Sequence, residues 1–486
     1  MKVQVVVGLE IHVQLSTQTK LFCGCPVRFA APPNSLVCPV CLGLPGALPV
    51  LNKKAVDYAI LAAMALNCQI ASFTKWDRKG YYYPDLPKNY QISQYDLPLG
   101  KAGFIEVQGD DGGIKQVRIR RVHLEEDAGK NLHAGGAYSC VDLNRAGTPL
   151  LEIVTEPDIT SAAQARALAV ELQRIVRYLG VSEADMQKGH MRFEPNVNLR
   201  IETDGQAFRT PIVEIKNLNS FRALEASIRY EADRQVQEFL ESGQVMTSGN
   251  KTTRGWDDVR QVTVLQRQKE EAEDYRYFPD PDLVPVVINT SWLDQIKALL
   301  PELPLRRQIR FVQQYGLSEY DAGVLTSDRS CADLFDKAVE AGGRPKRVCN
   351  LLTQVGLRVA NERGCSVGDL GLSPVNLATL ASMIEEGKVN ATSGVRILEQ
   401  MIATGQDPMT LARSMDLLQI ADSSRLESII DQVLSMQQKA VQEACSEGKK
   451  AQKAFNFLVG QVMQATKGQA NPTVIAEMIR KRLGGA

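Results

Sequence analysis

Apolar and polar residues alternate at the start of the chain, which is the pattern of a β-strand with one buried face. Valine, leucine or isoleucine occupies every odd position from 3 to 15. Glu10 and His12 fall on the opposite face, about 7 Å apart along a strand. Both side chains can therefore flank one bound ion or one phosphate. A solvated polar face is the alternative interpretation of this pair.

A second alternating segment, residues 114–125, changes phase near Arg121. Val117 and Ile119 stand at odd positions before Arg121, and Val122 and Leu124 stand at even positions after it. A β-bulge produces such a shift, and bulges often redirect side chains beside active sites. The shift predicts that His123 and Glu125 lie on the face opposite Leu124.

The acidic turn EEDAGK, residues 125–130, is followed by Glu152 inside the apolar run LLEIV. A carboxylate among large apolar side chains is costly to bury unless it is paired. Clustered oxygen ligands suit Mg²⁺ together with substrate phosphates. A loop with a surface salt bridge and an edge strand is the alternative. The sequence has no Walker motif and no G-x-G-x-x-G after a strand, so nucleotide chemistry would require a site of another design.

Helical periodicity appears at residues 53–67 and 159–180, where the second helix is expected to begin near Thr160 and Ser161 and to end at Gly180. From about residue 291 the chain becomes a series of amphipathic helices separated by glycine and proline, and it carries no catalytic cluster. We interpret this half as a packing or spacer domain, followed by a helical tail from about residue 407.

Composition limits the class of protein. A chain of 486 residues is too long for one core, so two or three domains are expected. Basic and acidic residues both total 56, which gives no overall field that would attract nucleic acid. The first seventeen residues are too short and too polar to be a signal peptide or a membrane span. We therefore expect a cytoplasmic protein with no membrane partner.

Two cysteine pairs, Cys23-x-Cys25 and Cys38-x-x-Cys41, flank a proline-rich loop. Four thiolates at this spacing can surround a tetrahedral zinc ion, and such a site would be structural because no coordination position stays open. Four unrelated buried thiols are the alternative. The interpretation predicts a zinc-knuckle insertion at residues 23–41.

The end of the chain is locally basic. From residue 449 onward, one acid, Glu477, stands against seven basic residues: Lys449, Lys450, Lys453, Lys467, Arg480, Lys481 and Arg482. Such an excess is an electrostatic footprint for phosphates. A solvated helix end is the alternative on charge alone.

Several long motifs resemble the B subunit of the bacterial glutamyl/aspartyl-tRNA amidotransferase, and the resemblance covers nearly the whole chain. The residues that carry it are GLEIHVQLST, CPVCLGLPGALPVLN, YYPDLPKNYQISQYD, HLEEDAGK, DLNRAGTPLLEIVTEPD, EIKNLNSF, DYRYFPDPDL and FNFLVGQVMQATKGQANP. The segment MRFEPNVN, residues 191–198, departs from the commoner family pattern and leaves the acidic turn untouched.

The resemblance implies an α+β protein: an antiparallel-sheet cradle domain at 1–290, a helical domain at 291–406 and a helical tail at 407–486 that binds tRNA. It implies a complex with a glutaminase A subunit and a small C subunit. In that complex the B subunit would use ATP and Mg²⁺ to phosphorylate the carboxylate of Glu-tRNA(Gln) or Asp-tRNA(Asn). Ammonia from glutamine would then form the amide.

The resemblance also implies roles for individual residues. The expected magnesium ligands are Glu10, His12, Glu125 and Glu152. The expected catalytic residues are Glu125, Asp127, Lys130, Asn144 and Arg145, of which the last four would orient ATP or the activated acid. ATP contacts would come from Lys79, Lys88 and Asp274. A tRNA-binding scaffold whose catalysis resides in a partner is the alternative function.

Overall fold

The computed structural model describes residues 1–109, 112–132, 138–247, 249–268, 272–419, 423–446, 448–466, 470 and 472–484, with the backbone alone at 272, 273, 423–425 and 449. The chain divides into two compact units, Met1–Arg306 and Arg307–Ala486. The first unit is rich in sheet and the second is helical. The predicted α+β class is confirmed, while the predicted boundaries at 290 and 406 stay predictions.

The strands lie in the first unit. In chain order they are β1 (Lys2–Gln14), β2 (Gln69–Ile70), β3 (Phe73–Thr74), β4 (Asp77–Gly80), β5 (Tyr90–Ser93), β6 (Gly100–Gln108), β7 (Ile114–Glu126), β8 (Lys130–Leu132), β9 (Cys140–Asp142), β10 (Pro149–Thr155), β11 (Met191–Thr203), β12 (Gln206–Arg209), β13 (Val213–Lys216), β14 (Thr252–Asp257), β15 (Val262–Gln268), β16 (Phe278–Pro279) and β17 (Val286–Val287).

The α-helices of the described residues are α1 (Lys53–Ala65), α2 (Ala162–Tyr178), α3 (Phe221–Ser242), α4 (Thr290–Lys297), α5 (Pro304–Tyr315), α6 (Glu319–Leu325), α7 (Arg329–Glu340), α8 (Pro345–Leu351), α9 (Leu357–Arg363), α10 (Pro374–Glu385), α11 (Ala391–Thr404), α12 (Pro408–Ser414), α13 (Ser423–Met436), α14 (Gln438–Ala444), α15 (Lys449–Ala465) and α16 (Pro472–Arg482). Short 3₁₀ turns span Ala272–Tyr275 and Val367–Leu370, and a π-helical stretch spans Leu352–Gly356. No helix among the described residues combines the length and apolar character needed to cross a membrane.

Ten strands of the described chain form one large sheet in the order β15-β14-β13-β11-β1-β10-β7-β6-β2, and β12 pairs with β11. Every neighbouring pair is antiparallel except β13 and β14. The helix α3 connects these two strands, and parallel neighbours require such a crossover. The predicted antiparallel sheet is therefore right apart from this one pair.

The central strand β1 shows why the sheet has two different faces. Val7, Leu9, Ile11 and Val13 are fully buried. They belong to a core shared with apolar residues of α1, α2 and α3. The predicted alternation is confirmed, and the opposite face of the sheet is left for polar side chains.

The phase change in β7 is confirmed. Strand β10 pairs Val154 with Arg121 and then Thr155 with Ile119, so one residue of β7 is skipped. Leu124 is consequently buried in the core. The bulge turns the neighbouring odd-numbered side chains of β7 to the polar face of the sheet.

The helix α2 begins and ends where the sequence predicts. Ser161 is the N-cap, and its side chain accepts a hydrogen bond from Gln164 N. Gly180 follows the helix in the left-handed region, at φ 67°.

The second unit contains two separate apolar clusters among its described residues. One extends from Phe311 to Leu417 and the other from Leu426 to Ile479.

Truncating the buried face of β1 tests the role of this strand. Leu9→Ala should lower the free energy of unfolding by about 2–5 kcal/mol because it leaves a cavity in the core. Leu240→Ala is the control, since Leu240 is 59% exposed and its loss should cost no more than about 0.5 kcal/mol. The three tryptophans all lie in the first unit, so tryptophan fluorescence during urea unfolding reports on it alone. Equal midpoints for the two variants would contradict the assignment.

Candidate functional site

A row of polar side chains crosses four adjacent strands of the large sheet. Arg192 of β11 is opposite His12 of β1, and His12 is opposite Glu152 of β10. Glu152 is in turn opposite His123 of β7. Side chains directly opposite one another in neighbouring strands lie about 5 Å apart at Cβ and project from the same face. Strand pairing therefore assembles this row from four distant parts of the sequence.

His12, Glu125 and Glu152 form a compact group of possible metal ligands. One ligand atom from each lies within 4.8 Å of the others. His12 Nε2 is 3.6 Å from Glu125 Oε1 and 3.8 Å from Glu152 Oε2. These separations exceed a hydrogen bond. In an octahedral Mg²⁺ site with bonds of about 2.1 Å, adjacent ligand atoms are roughly 3 Å apart and opposite ones roughly 4.2 Å apart. Both separations measured here lie between these two values. The donor set fits a magnesium ion.

His123 is a second histidine next to Glu152 and Glu125, and it approaches Glu152 more closely than His12 does. Its Nε2 is 3.1 Å from Glu152 Oε2 and 3.8 Å from Glu125 Oε2, and the imidazole is buried. Burial alone would lower the pKa of His123, but Glu152 and Glu125 raise it. Burial likewise opposes the charge on Glu152, yet His123 holds the pKa of that carboxyl well below its usual value. The contact between the His123 imidazole and Glu152 Oε2 fixes the position of that carboxylate.

Glu10 lies in a second acidic group, although it lines the same cavity as His12, Glu125 and Glu152, and its expected role as a magnesium ligand stays a prediction. Its nearest acidic partners are Glu194 and Glu214. Asn196 donates a hydrogen bond of 2.8 Å to Glu10 Oε1, and the ammonium of Lys216 lies 2.6 Å from Glu194 Oε2. Burial would raise the pKa of Glu194, but Lys216 lowers it to about 2.

Two adjoining cavities surround these groups. The first, of about 380 Å³, is the acidic chamber, and its lining includes Glu10, His12, Glu125, Glu152, Glu194 and Glu214. The second, of about 810 Å³, is the basic chamber, and its cationic lining consists of Lys79, Arg145, Arg192, Lys216, Arg267 and Arg276. Lys79, Asp127, Arg192 and Lys216 line both. Carboxylates thus outnumber lysines and arginines in the lining of the first cavity, and lysines and arginines outnumber carboxylates in the lining of the second.

Lys79 stands where the chambers meet. Burial acts to lower its pKa, but Tyr277, Glu125 and Glu152 raise it above the usual value. Its ammonium lies 4.6 Å from the ring centroid of Tyr275, a cation–π contact. The side chain is therefore a permanent positive charge beside the carboxylates.

Asp127 is held by two arginines at the same junction. Its Oδ1 accepts a hydrogen bond of 2.9 Å from Arg192, and Arg145 Nε lies 3.5 Å from Oδ2. Burial would raise the pKa of this carboxyl, but Arg192 and Arg145 lower it. Arg145 also donates to the carbonyl oxygens of Ala128 and Gly129. Asp274 lines the basic chamber as well.

Three predicted site residues lie outside the lining of both chambers. Lys88 forms an ion pair with Glu126 and sits over the ring of Tyr90. Lys130 lies on the exposed edge of β8. Asn144 accepts a hydrogen bond from Leu36 N and donates one to Pro32 O, so it anchors the loop between the cysteine pairs. The structure brings none of these three to the acidic group.

The four cysteines Cys23, Cys25, Cys38 and Cys41 come together as their spacing predicts, with sulfur atoms within 4.8 Å of one another. The Sγ atoms of Cys38 and Cys41 are 3.9 Å apart. Tetrahedral zinc with bonds of about 2.3 Å requires about 3.8 Å. A hydrogen bond from Cys23 lowers the pKa of Cys41 to about 4. The cluster can hold a metal such as zinc.

Comparisons with known proteins match nearly the whole chain. Residues 5–294 match the model of the GatB/GatE catalytic domain, and residues 333–483 match the GatB domain. The chain is 47% identical to the aspartyl/glutamyl-tRNA(Asn/Gln) amidotransferase B subunit of Carboxydothermus hydrogenoformans, over 99% of this chain and 98% of the relative. The chain belongs to this family of amidotransferase B subunits. Relatives of the same name from a Thermoanaerobacter species and from Thermotoga maritima are 45% and 46% identical, over at least 99% of each chain.

The match to the B-subunit family includes the basic tail. Lys450 and Lys453 are exposed on α15, and Arg480 and Lys481 are exposed on α16. Arg482 is engaged by Asp431, at 2.9 and 3.0 Å. The side chain of Lys449 and the whole of Lys467 lie outside the described residues.

Several side chains that line the chambers were not assigned a site role from the sequence, although the phase change near Arg121 had predicted the face on which His123 lies. They are His123, Arg192, Glu194, Glu214, Lys216 and Arg267. All of them except Arg267 lie on the polar face of the sheet, because side chains alternate along β7, β11 and β13. The sequence signal that could have indicated them was therefore this alternation. It could not single them out, because spacing alone does not say which strands are neighbours.

Zinc analysis tests the cysteine cluster. Freshly purified protein should contain about one zinc per chain, and Cys41→Ser should lose most of it because three thiolates hold the ion less tightly. Cys445→Ser is the control, since Cys445 is an exposed free thiol. Chelation should lower the melting temperature of the wild-type chain. Zinc retained in full by Cys41→Ser would contradict the assignment.

Proposed function

We propose that this chain activates and amidates the side-chain carboxylate of a misacylated tRNA, Glu-tRNA(Gln) or Asp-tRNA(Asn), in an ATP-dependent and glutamine-hydrolysing carbon–nitrogen ligase. The observation that supports the proposal is that the acidic chamber and the basic chamber share lining residues, among them Lys79, Arg192 and Lys216. Ammonia cannot displace an oxide ion from a carboxylate, so phosphorylation must first supply a leaving group. Positioning phosphates and neutralising their charge is the main task in such a transfer.

The acidic chamber supplies the ligands for the cation that the reaction needs. His12, Glu125 and Glu152 would hold Mg²⁺, and His123 would keep Glu152 in place through their contact of 3.1 Å. A magnesium ion bound there would neutralise charge on the transferred phosphoryl group. Glu125 is assigned a catalytic role as one of these three ligands.

The basic chamber supplies fixed positive charge for the phosphates. Lys79 and Arg192 line both chambers, so they can contact a phosphoryl group while it moves from ATP to the carboxylate. Asp127 holds the Arg192 guanidinium, and Arg145 is tied to the backbone of Ala128 and Gly129. Pre-positioned cations of this kind need little rearrangement during reaction. Asp274 is assigned to the ATP contacts because it lines the same chamber.

The second reaction forms the amide. The nitrogen of ammonia attacks the carbonyl carbon of the acyl phosphate, the carbon–oxygen bond to phosphate breaks, and the nitrogen loses a proton. We assign the ammonia to glutamine hydrolysed by an A subunit and the assembly to a C subunit, since the relatives are named as the B subunit of an amidotransferase. The reaction takes place in the cytoplasm, where aminoacyl-tRNA is used.

The remaining features have supporting roles. Zinc bound by the four cysteines would cross-link residues 23–41 beneath the site. Asn144 connects that loop to the rest of the first unit through its hydrogen bond to Pro32 O. The exposed bases Lys450, Lys453, Arg480 and Lys481 would contact the tRNA backbone.

Removing one carboxylate tests the catalytic assignment. In a complex reconstituted with A and C subunits, Glu125→Gln and Glu152→Gln should lower ATP hydrolysis and amide formation by on the order of 10²-fold or more, because the cation loses a charged ligand. tRNA affinity should be unchanged. Glu156→Gln is the control, since Glu156 pairs with Arg120 outside the chambers. Full activity in both site variants would favour a tRNA-binding scaffold with catalysis in a partner.

Salt dependence tests the tail. Replacing both Lys450 and Lys453 by alanine should weaken tRNA binding and reduce the slope of log affinity against log salt by about 2, since each lost phosphate contact removes about 1. The matched control replaces Lys346 and Lys388, two exposed lysines outside residues 407–486. Glutaminase activity of the complex should stay normal in both. The same slope in both double variants would refute the tail assignment.

A further inference from the structure

Five tyrosine rings contact one another in a series that we call the tyrosine wall: Tyr83, Tyr81, Tyr275, Tyr277 and Tyr95. Edge-on contacts of 6.0–6.1 Å between ring centroids connect the first four in that order. Tyr277 and Tyr95 then stack with centroids 4.0 Å apart and planes 9° apart. These residues come from two segments, 81–95 and 275–277, that are distant in sequence.

The tyrosine wall extends through both chambers. Tyr83 lines the basic chamber, Tyr81 and Tyr275 line both, and Tyr277 and Tyr95 line the acidic chamber. Burial raises the pKa of Tyr81 above its usual value and that of Tyr277 to about 12. The interior rings therefore stay neutral and offer aromatic faces next to the charged groups.

The outer end of the wall is exposed to solvent. Tyr82, which also lines the basic chamber, is 75% exposed, and Tyr83 is 49% exposed. Arg267 holds Tyr83 in place by donating a hydrogen bond of 2.7 Å to its hydroxyl. Two large rings thus stand at the mouth of a cavity whose lining carries six basic side chains. A planar aromatic group attached to phosphate matches this combination of surfaces.

We propose that Tyr82 and Tyr83 stack on the adenine ring of a substrate at the mouth of the basic chamber. The proposal rests on the proposed function, in which both substrates carry adenine beside phosphate: ATP, and the terminal adenosine to which the amino acid of the tRNA is esterified. Stacking on aromatic side chains is the usual way in which unpaired bases are bound. The wall then leads from the base to the acidic chamber, where the reacting carboxylate must arrive.

Ring removal and ring rescue test this assignment in the reconstituted complex. Tyr82→Ala and Tyr83→Ala should raise the KM of one substrate by about 5- to 150-fold, the range for loss of one stacked base. Tyr82→Phe and Tyr83→Phe should bring that KM back to within about threefold of the wild-type value, because the ring face is restored. The matched control is Tyr320→Ala, since Tyr320 is 80% exposed and lies outside the lining of both chambers.

The KM for ATP and the KM for the misacylated tRNA are measured separately, each with the other substrate saturating. A rise in the KM for ATP identifies the stacked adenine as that of ATP. A rise in the KM for tRNA identifies it as the terminal adenosine. Both KM values unchanged in the alanine variants, with the wild-type complex active, would overturn the proposal. A wild-type complex without ATP-dependent amide formation would instead overturn the proposed function.

Discussion

The pairing register of β1 with β10 and β11 is the constraint on which the rest of the structure depends. It places His12 opposite both Glu152 and Arg192. Side chains alternate with a period of two along a strand, so a slip of one residue would exchange the two faces. Such a slip would expose Leu9 and Ile11, which are now fully buried, and would bury Glu10 and His12 among the helices. The apolar core thereby determines where the polar row stands.

Three buried or half-buried carboxylates of the polar face each have a basic side chain as partner. Glu152 is paired with His123, Asp127 with Arg192, and Glu194 with Lys216. Removing one member of a buried pair leaves an uncompensated charge, which costs more than the pair contributes to stability. His12 Nε2 and Glu125 Oε1 lie 3.6 Å apart, beyond hydrogen-bond distance, which leaves both atoms available to a shared cation. The pairs therefore let the sheet hold these three carboxylates next to compensating basic groups.

The sequence predicted the features that depend on local periodicity. The alternation of β1, the bulge near Arg121, the caps of α2 and the cysteine group were all available from spacing, and the structure has each of them. The order of the strands could not be predicted from the sequence. Strands that pair can be more than one hundred residues apart, and the periodicity of a strand does not show which strands are its neighbours. For this reason the separate group of Glu10, Glu194 and Glu214 and the tyrosine wall were not predicted.

The central claim is that His12, Glu125 and Glu152 share one divalent cation. The most direct measurement is an anomalous difference map from crystals of the full chain soaked in Mn²⁺, which replaces Mg²⁺ and scatters anomalously. The account predicts one strong peak within about 2.0–2.3 Å of a ligand atom from each of the three side chains. A peak confined to Glu10, Glu194 and Glu214, or no peak in either acidic group, would contradict it.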